Sequence, residues 1–228
     1  MTAGTSSAAV RTVPLGGTAA PGTTIPALGL GVFQVGPDEA QRVVEEALEL
    51  GYRHVDTAAA YVNEAGVGAA IRAATRATGL PREEVFVTSK LRNGDQGRDR
   101  ARRAHGETLE RLGLDHLDLY LVHWPNPGAG LFVESWEALA ALQAEGAVRA
   151  VGVSNFLPEH LAALADAGLP APAVNQVELH PTFQQPHTVE ATRAAGAAVQ
   201  AYSPLGQGAD LDAPAVVDAA AAHGATPA

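Results

Sequence analysis

The sequence predicts a parallel α/β barrel, and three observations carry that expectation. Short apolar runs such as VFVTS (residues 85–89) and LDLYLVH (117–123) have no polar face, which implies burial on both sides in a parallel sheet covered by helices. Such runs alternate with amphipathic helical stretches along most of the 228 residues, the pattern of a (β/α) barrel or an open doubly wound sheet. The glycine fingerprint that would favour the open sheet is missing. Gly66, Gly68 and Ile71 occupy its spacing, but the last glycine is absent and the segment falls inside a predicted helix.

Residues 1–10 read as a loose tail and residues 11–228 as one domain, because no Pro/Ser/Gly linker divides two independent patterns. Residues 10–15 and 24–28, separated by Gly16, Gly17, Pro21 and Gly22, form a hairpin ahead of the repeat. The glycine-rich ALGLGVF (27–33) is a short strand. After Pro37, a favoured first helical residue, residues 38–50 show helical periodicity at Val43, Val44, Ala47 and Leu48 and stop at Gly51. Five strand–helix pairs follow: 52–57 with 64–78, 85–89 with 98–112, 117–123 with 132–145, 150–153 with 158–167, and 174–179 with 187–195. A last strand at 199–202 precedes a helix over 214–223, giving seven units in all.

Composition removes several function classes. A net charge of -10 argues against nucleic acid or an anionic membrane surface as a partner. The absence of cysteine rules out disulfides and thiolate metal sites and suits a reducing cytoplasm. No signal peptide opens the chain, no stretch is long and apolar enough to span a bilayer, and the histidines show no HExxH-type spacing, so no metal is expected. Lys90 is the only lysine among 15 basic residues. Only a lysine offers a compact ammonium that burial can tune, which draws attention to it before any motif does.

In a barrel, the carboxyl ends of different strands converge on one face. Those ends carry Asp56, Lys90, His123, Ser154, Asn155, Gln176, Glu178, Tyr202 and Ser203, with Tyr61 one loop beyond Asp56. A strand-end Asp or Lys taken singly is more often half of a structural ion pair, and a single buried His a satisfied core residue. At matched ends of consecutive strands they form a proton-transfer set. A tyrosine with an ordinary pKa of about 10 is a poor acid near neutrality, and an adjacent ammonium, held by a carboxylate, lowers it. His123 is placed to donate a hydrogen bond to the same substrate oxygen. This set protonates an oxygen but holds no electrons, so a carbonyl reduction needs a hydride cofactor nearby. Ser154, Asn155 and Gln176 suit a carboxamide, Tyr202 an aromatic ring, and the SPLGQG loop (203–208) a pyrophosphate. Ser154 is not a hydrolase nucleophile, because GVSNF lacks the final glycine of a nucleophile elbow.

The segments GLGVFQ, GYRHVDTAAAYVNEAGVGAAI, VFVTSKL, LGLDHLDLYLVHWP, VGVSNF, NQVELHP and AYSPLGQG resemble, in order, the signatures of the aldo-keto reductase family, and they cover nearly everything from Ala27 to Gly208. The resemblance, nearest to the bacterial diketogluconate reductase branch, implies a (β/α)8 TIM barrel with an N-terminal hairpin. It also implies NADPH, with NADH an open alternative, and reduction of small aldehydes or ketones to alcohols, by a chain expected to be monomeric. By motif, Tyr61 is the proton donor, Lys90 and Asp56 its tuners and His123 the carbonyl orienter. Gly31, Val32, Ser154, Asn155, Gln176, Tyr202, Ser203, Leu205 and Gly206 hold the cofactor, and Phe33 and Trp124 line the substrate mouth.

Two departures stand out. Arg92 occupies a position that is commonly aromatic in the family; the favoured reading is a solvated loop charge, and the sharper alternative is a pocket for keto sugar acids, since guanidinium pairs well with carboxylate. The chain also stops at HGATPA, within what resembles the seventh helix, so the eighth β/α unit is missing, along with the basic segment that in the family grips the 2′-phosphate. The expectation is a C-terminally truncated member, with an inactive or non-catalytic nucleotide-binding barrel as the alternative.

Overall fold

The computed structural model describes residues 10–17 and 22–228; the expected tail lies outside them except for its last residue. A hairpin of β1 (Thr12–Pro14) and β2 (Thr24–Pro26) precedes the repeat, with Val13 opposite Ile25. Seven parallel strands then follow: β3 (Leu30–Gly31), β4 (His54–Asp56), β5 (Phe86–Leu91), β6 (Leu117–Val122), β7 (Val148–Ser154), β8 (Val174–Glu178) and β9 (Ala198–Tyr202). Each pairs with the next in sequence order, so β3 and β9 are the two edges of a nearly closed barrel. The helices are α1 (Pro37–Glu49), α2 (Glu64–Thr78), α3 (Arg98–Leu112), α4 (Phe132–Ala144), α5 (Pro158–Asp166), α6 (Pro186–Ala194) and α7 (Pro214–His223). The seven strand–helix units among the described residues are those expected from the sequence.

Strand pleat determines what faces the interior. Register pairs Asp56 with Thr88, Thr88 with Leu119, Lys90 with Leu121, Ser154 with Gln176 and Glu178 with Tyr202. Residues aligned in register share a face, so one alternate set from every strand points inward. At the bottom this set is apolar: Phe86, Leu119, Leu121, Ala150 and Val174 pack with Leu15 and Ile25 of the hairpin segment, which plugs the barrel. At the top the same rows end in polar residues. The other set, including Val55, Val87, Leu91, Tyr120 and Val153, packs outward with Val44, Ile71, Leu112, Trp136 and Leu139 of the helices. One interior position needs glycine: a Cβ on Gly152 would stand 2.6 Å from Val174 Cγ1 and 2.8 Å from Leu121 Cδ2.

The strand expected over 27–33 shrinks to Leu30–Gly31. The reason is a side chain: Asn63 Nδ2 donates to the carbonyls of Val32 (2.9 Å) and Val35 (3.0 Å), folding the segment back where a strand would continue.

Candidate functional site

Tyr61 reaches the barrel mouth on a short 3-10 turn, Ala59–Tyr61, after β4. The next residue, Val62, is left-handed at φ 59°, an uncommon conformation for a β-branched residue. That twist leaves the Val62 side chain exposed. Asn63 anchors the turn, its Oδ1 accepting the Thr57 hydroxyl at 2.7 Å. Sequence reasoning passed over Asn63, whose one visible signal is an amide two residues after the phenol. All seven non-glycine residues with positive φ among the described residues (Gln34, Val62, Asn126, Asn155, Gln185, Ser203 and Gln207) lie between a strand end and the following helix. Backbone strain is thus concentrated on the face that carries the polar cluster.

Lys90 is 1 % exposed. Its Nζ donates to Asp56 Oδ1, to the Thr57 carbonyl at 3.1 Å and to the Tyr61 hydroxyl at 3.4 Å. Three N–H donors therefore meet three acceptors, which is what permits an ammonium to be buried. The Thr57 carbonyl had no signal in the sequence, since any residue supplies one. Gln176 Nε2 donates to the other Asp56 oxygen at 2.7 Å, so the carboxylate is held from both sides. His123 meets Tyr61 edge-on at 5.6 Å between ring centroids, and Phe33 lies 5.2 Å from Tyr61 on the other side.

Electrostatics correct one expectation. Burial pushes the Tyr61 phenol above its ordinary range and outweighs the opposing pull of Lys90. The phenol therefore remains protonated near neutrality, and Lys90 acts on the phenolate only as it forms. Burial, then Lys90, lowers His123 to about 4, so its ring is neutral and one nitrogen carries a proton.

The residues assigned to the cofactor form a second, connected patch. Ser154 Oγ donates to the Gln176 carbonyl at 2.9 Å, Asn155 Nδ2 to the His123 carbonyl and to Ser154 Oγ, each at 3.0 Å, and the Tyr202 hydroxyl to Asn155 Oδ1 at 3.0 Å. Gly31 pairs with Asp56, and a Cβ built there meets nothing within 4 Å, which leaves inward space beside the cluster. The donor set and this space fit a nicotinamide ring and its carboxamide. Ser203, Leu205 and Gly206 lie on the loop beyond β9, with Leu205 exposed. Val32 differs from the rest: its side chain is buried in the outer core and its N–H donates to the Asp56 carbonyl at 3.0 Å. Arg92 points to its own turn, its Nε donating to Asp95 Oδ2 at 2.6 Å with the side chain 55 % exposed.

Trp124, Asn155 and Tyr202 also border a cavity of about 510 Å³, together with Leu157, Glu178 and Phe183. The cavity does not reach Tyr61; Glu178 is one of the strand-end residues read from the sequence, whereas Leu157 and Phe183 were not anticipated. Leu157 precedes α5 and Phe183 lies between β8 and α6, and neither pattern nor spacing joins them.

Residues 27–213 match the Aldo/keto reductase family. The chain belongs to that family. An aldo-keto reductase of Mycolicibacterium smegmatis is 47 % identical over 207 residues, spanning 91 % of this chain and 74 % of the relative. The crystal structure of an aldo/keto reductase from Brucella melitensis superposes with a TM-score of 0.87 at 44 % identity, covering 96 % of this chain and 80 % of the other. A Bombyx mori aldo-keto reductase, solved in complex with NADP, gives 0.86 at 33 % identity, covering 96 % and 77 %. The aldo-keto reductase barrel is therefore present here over roughly three quarters of the relatives' length.

Proposed function

We propose that this chain reduces aldehydes and ketones to alcohols with NADPH, using Tyr61 as the general acid. The observation that carries the reading is the Lys90 ammonium, buried on Asp56 and 3.4 Å from the Tyr61 hydroxyl. The bound cofactor supplies the hydride that adds to the carbonyl carbon. As the carbonyl π bond breaks, Tyr61 gives its proton to the oxygen, and Lys90 stabilises the phenolate left behind. His123, neutral, donates a ring N–H to the same oxygen and fixes its direction. Gln176 and Lys90 hold Asp56 in place, which keeps the ammonium charged and aimed. Tyr61 then recovers a proton from water.

The NADP complex of the Bombyx mori relative supports the phosphorylated cofactor. The lack of cysteine supports a cytoplasmic setting. Among the described residues no helix is long and apolar enough to cross a membrane. Keto sugar acids come second to neutral carbonyls as substrates, because Asp95 already engages Arg92 and competes for any substrate carboxylate.

The test is to titrate NADPH against tryptophan fluorescence and then follow NADPH consumption with an aromatic aldehyde, an aliphatic ketone and a keto sugar acid. Binding, followed by equimolar alcohol from the neutral carbonyls, is the expected result. Binding without turnover of any carbonyl would establish the non-catalytic barrel, and no binding would overturn both readings.

A further inference from the structure

Asp210 is among the buried carboxylates that take no part in the chemistry above. Asp210, 3 % exposed, accepts the Thr182 hydroxyl at 2.6 Å and the Thr182 backbone N–H at 3.2 Å. Its Oδ2 lies 2.7 Å from Nδ1 of His180. The other ring nitrogen of His180 is 3.5 Å from Glu178 Oε1, at the end of β8. A polar chain thus runs from the barrel wall, through one imidazole, to the far end of the loop after β9.

That loop has little else to fix it. Ser203, Gly206, Gln207 and Gly208 all have positive φ. Its backbone hydrogen bonds are local: Gly206 N–H to Ser203, Gly208 to Leu205, Ala209 to Gly206 and Leu211 to Gly208. Local turns give a loop its shape but not its position against the barrel, and strained conformations persist only where surrounding contacts hold them. Asp210 supplies such contacts from the segment after β8. The loop also rests directly on the pair: a Cβ on Gly206 would come within 3.1 Å of Asp210 Cγ and 3.2 Å of His180 Nδ1. A carboxylate beneath an anion-binding loop would repel the anion unless its own charge were met, and Thr182 and His180 meet it.

We infer that Asp210, clasped by Thr182 and His180, is a positioning residue that presets the 203–208 loop to receive the cofactor pyrophosphate. This rests on the reading above that the loop meets that group. Asp210 acts through the loop backbone and touches no ligand. A loop already in place spends no binding free energy on becoming ordered, so the clasp should appear as cofactor affinity.

The experiment compares wild type, Asp210→Ala and Asp210→Asn by NADPH titration and by hydrogen exchange of residues 203–211 without cofactor. In Asp210→Ala the NADPH Kd is expected to rise about tenfold, the scale of one lost charge-assisted hydrogen bond. Its loop amides are expected to exchange faster, while β5 and β6 keep wild-type protection. Asp210→Asn retains an acceptor for Thr182 and is expected to recover most of the affinity. Wild-type affinity and loop exchange in Asp210→Ala would overturn the inference, as would equal loss of protection in β5 and β6, which marks a residue of the whole fold. If wild type binds no NADPH, the functional reading fails first, and loop exchange alone still decides whether the clasp exists.

Discussion

The β4–β6 side of the barrel and the edge formed by β9 and α7 are built from the same strand–helix unit but are buried very differently. Every residue of β5 and β6 is buried, and α4 places Trp136 at 0 % exposure behind them. By contrast, no residue of β9 is fully buried, and α7 buries none of its residues. The closed side holds Asp56, Lys90 and His123, where loss of solvent moves the phenol and the imidazole and makes the ammonium count. The open side holds Tyr202 and the 203–208 loop, beside the barrel edge formed by β9. Proton chemistry needs walls that exclude water.

The largest effect should come from puncturing the closed side. Trp136 is fully buried and its Nε1 donates to the Pro170 carbonyl at 3.0 Å. Trp136→Ala is expected to cost about 3–5 kcal/mol in urea denaturation, the range for deleting a buried aromatic. A loss near zero would mean that this wall is not what holds the barrel.

An intermediate effect should follow acidification, again from the closed side. Burial lowers both His54 and His123 to about 4, so the folded chain leaves them neutral where the unfolded chain protonates them. Between pH 6.5 and about 4 the unfolded state therefore binds more protons, and stability falls as pH drops through that window, by on the order of a few kcal/mol. Denaturation midpoints at pH 7 and pH 5 check this. His54→Asn should flatten the slope, and an unchanged slope would remove His54 from the account.

The smallest effect should be on the open side. Val217→Ala, in α7, alters an exposed side chain and is expected to shift stability by no more than about 0.5 kcal/mol. A shift as large as that of Trp136→Ala would erase the contrast.

The same contrast explains what could be read from the sequence. The runs behind β5 and β6 are mostly apolar and show no polar face because both faces are buried, so they were visible as strands, and the carboxyl-end rule then brought Asp56, Lys90 and His123 to one face. β3 was less visible because Asn63, more than thirty residues away in sequence, bends the segment through side-chain hydrogen bonds. The upward push on Tyr61 was hidden because charge is written in residue types and burial is not. The Gln176 to Asp56 bond joins residues 120 positions apart, and the Asp210 clasp joins two loops with no shared motif. Contacts of this kind come from closing the barrel, and no local pattern encodes them.

The most direct measurement is NADPH titration and carbonyl turnover for Tyr61→Phe, which removes one hydroxyl and leaves the ring between Phe33 and His123. The expected result is an NADPH Kd within about twofold of wild type and turnover reduced by at least about a hundredfold, the scale of a lost general acid. Tyr61→Phe turning over an aldehyde at the wild-type rate would contradict the account.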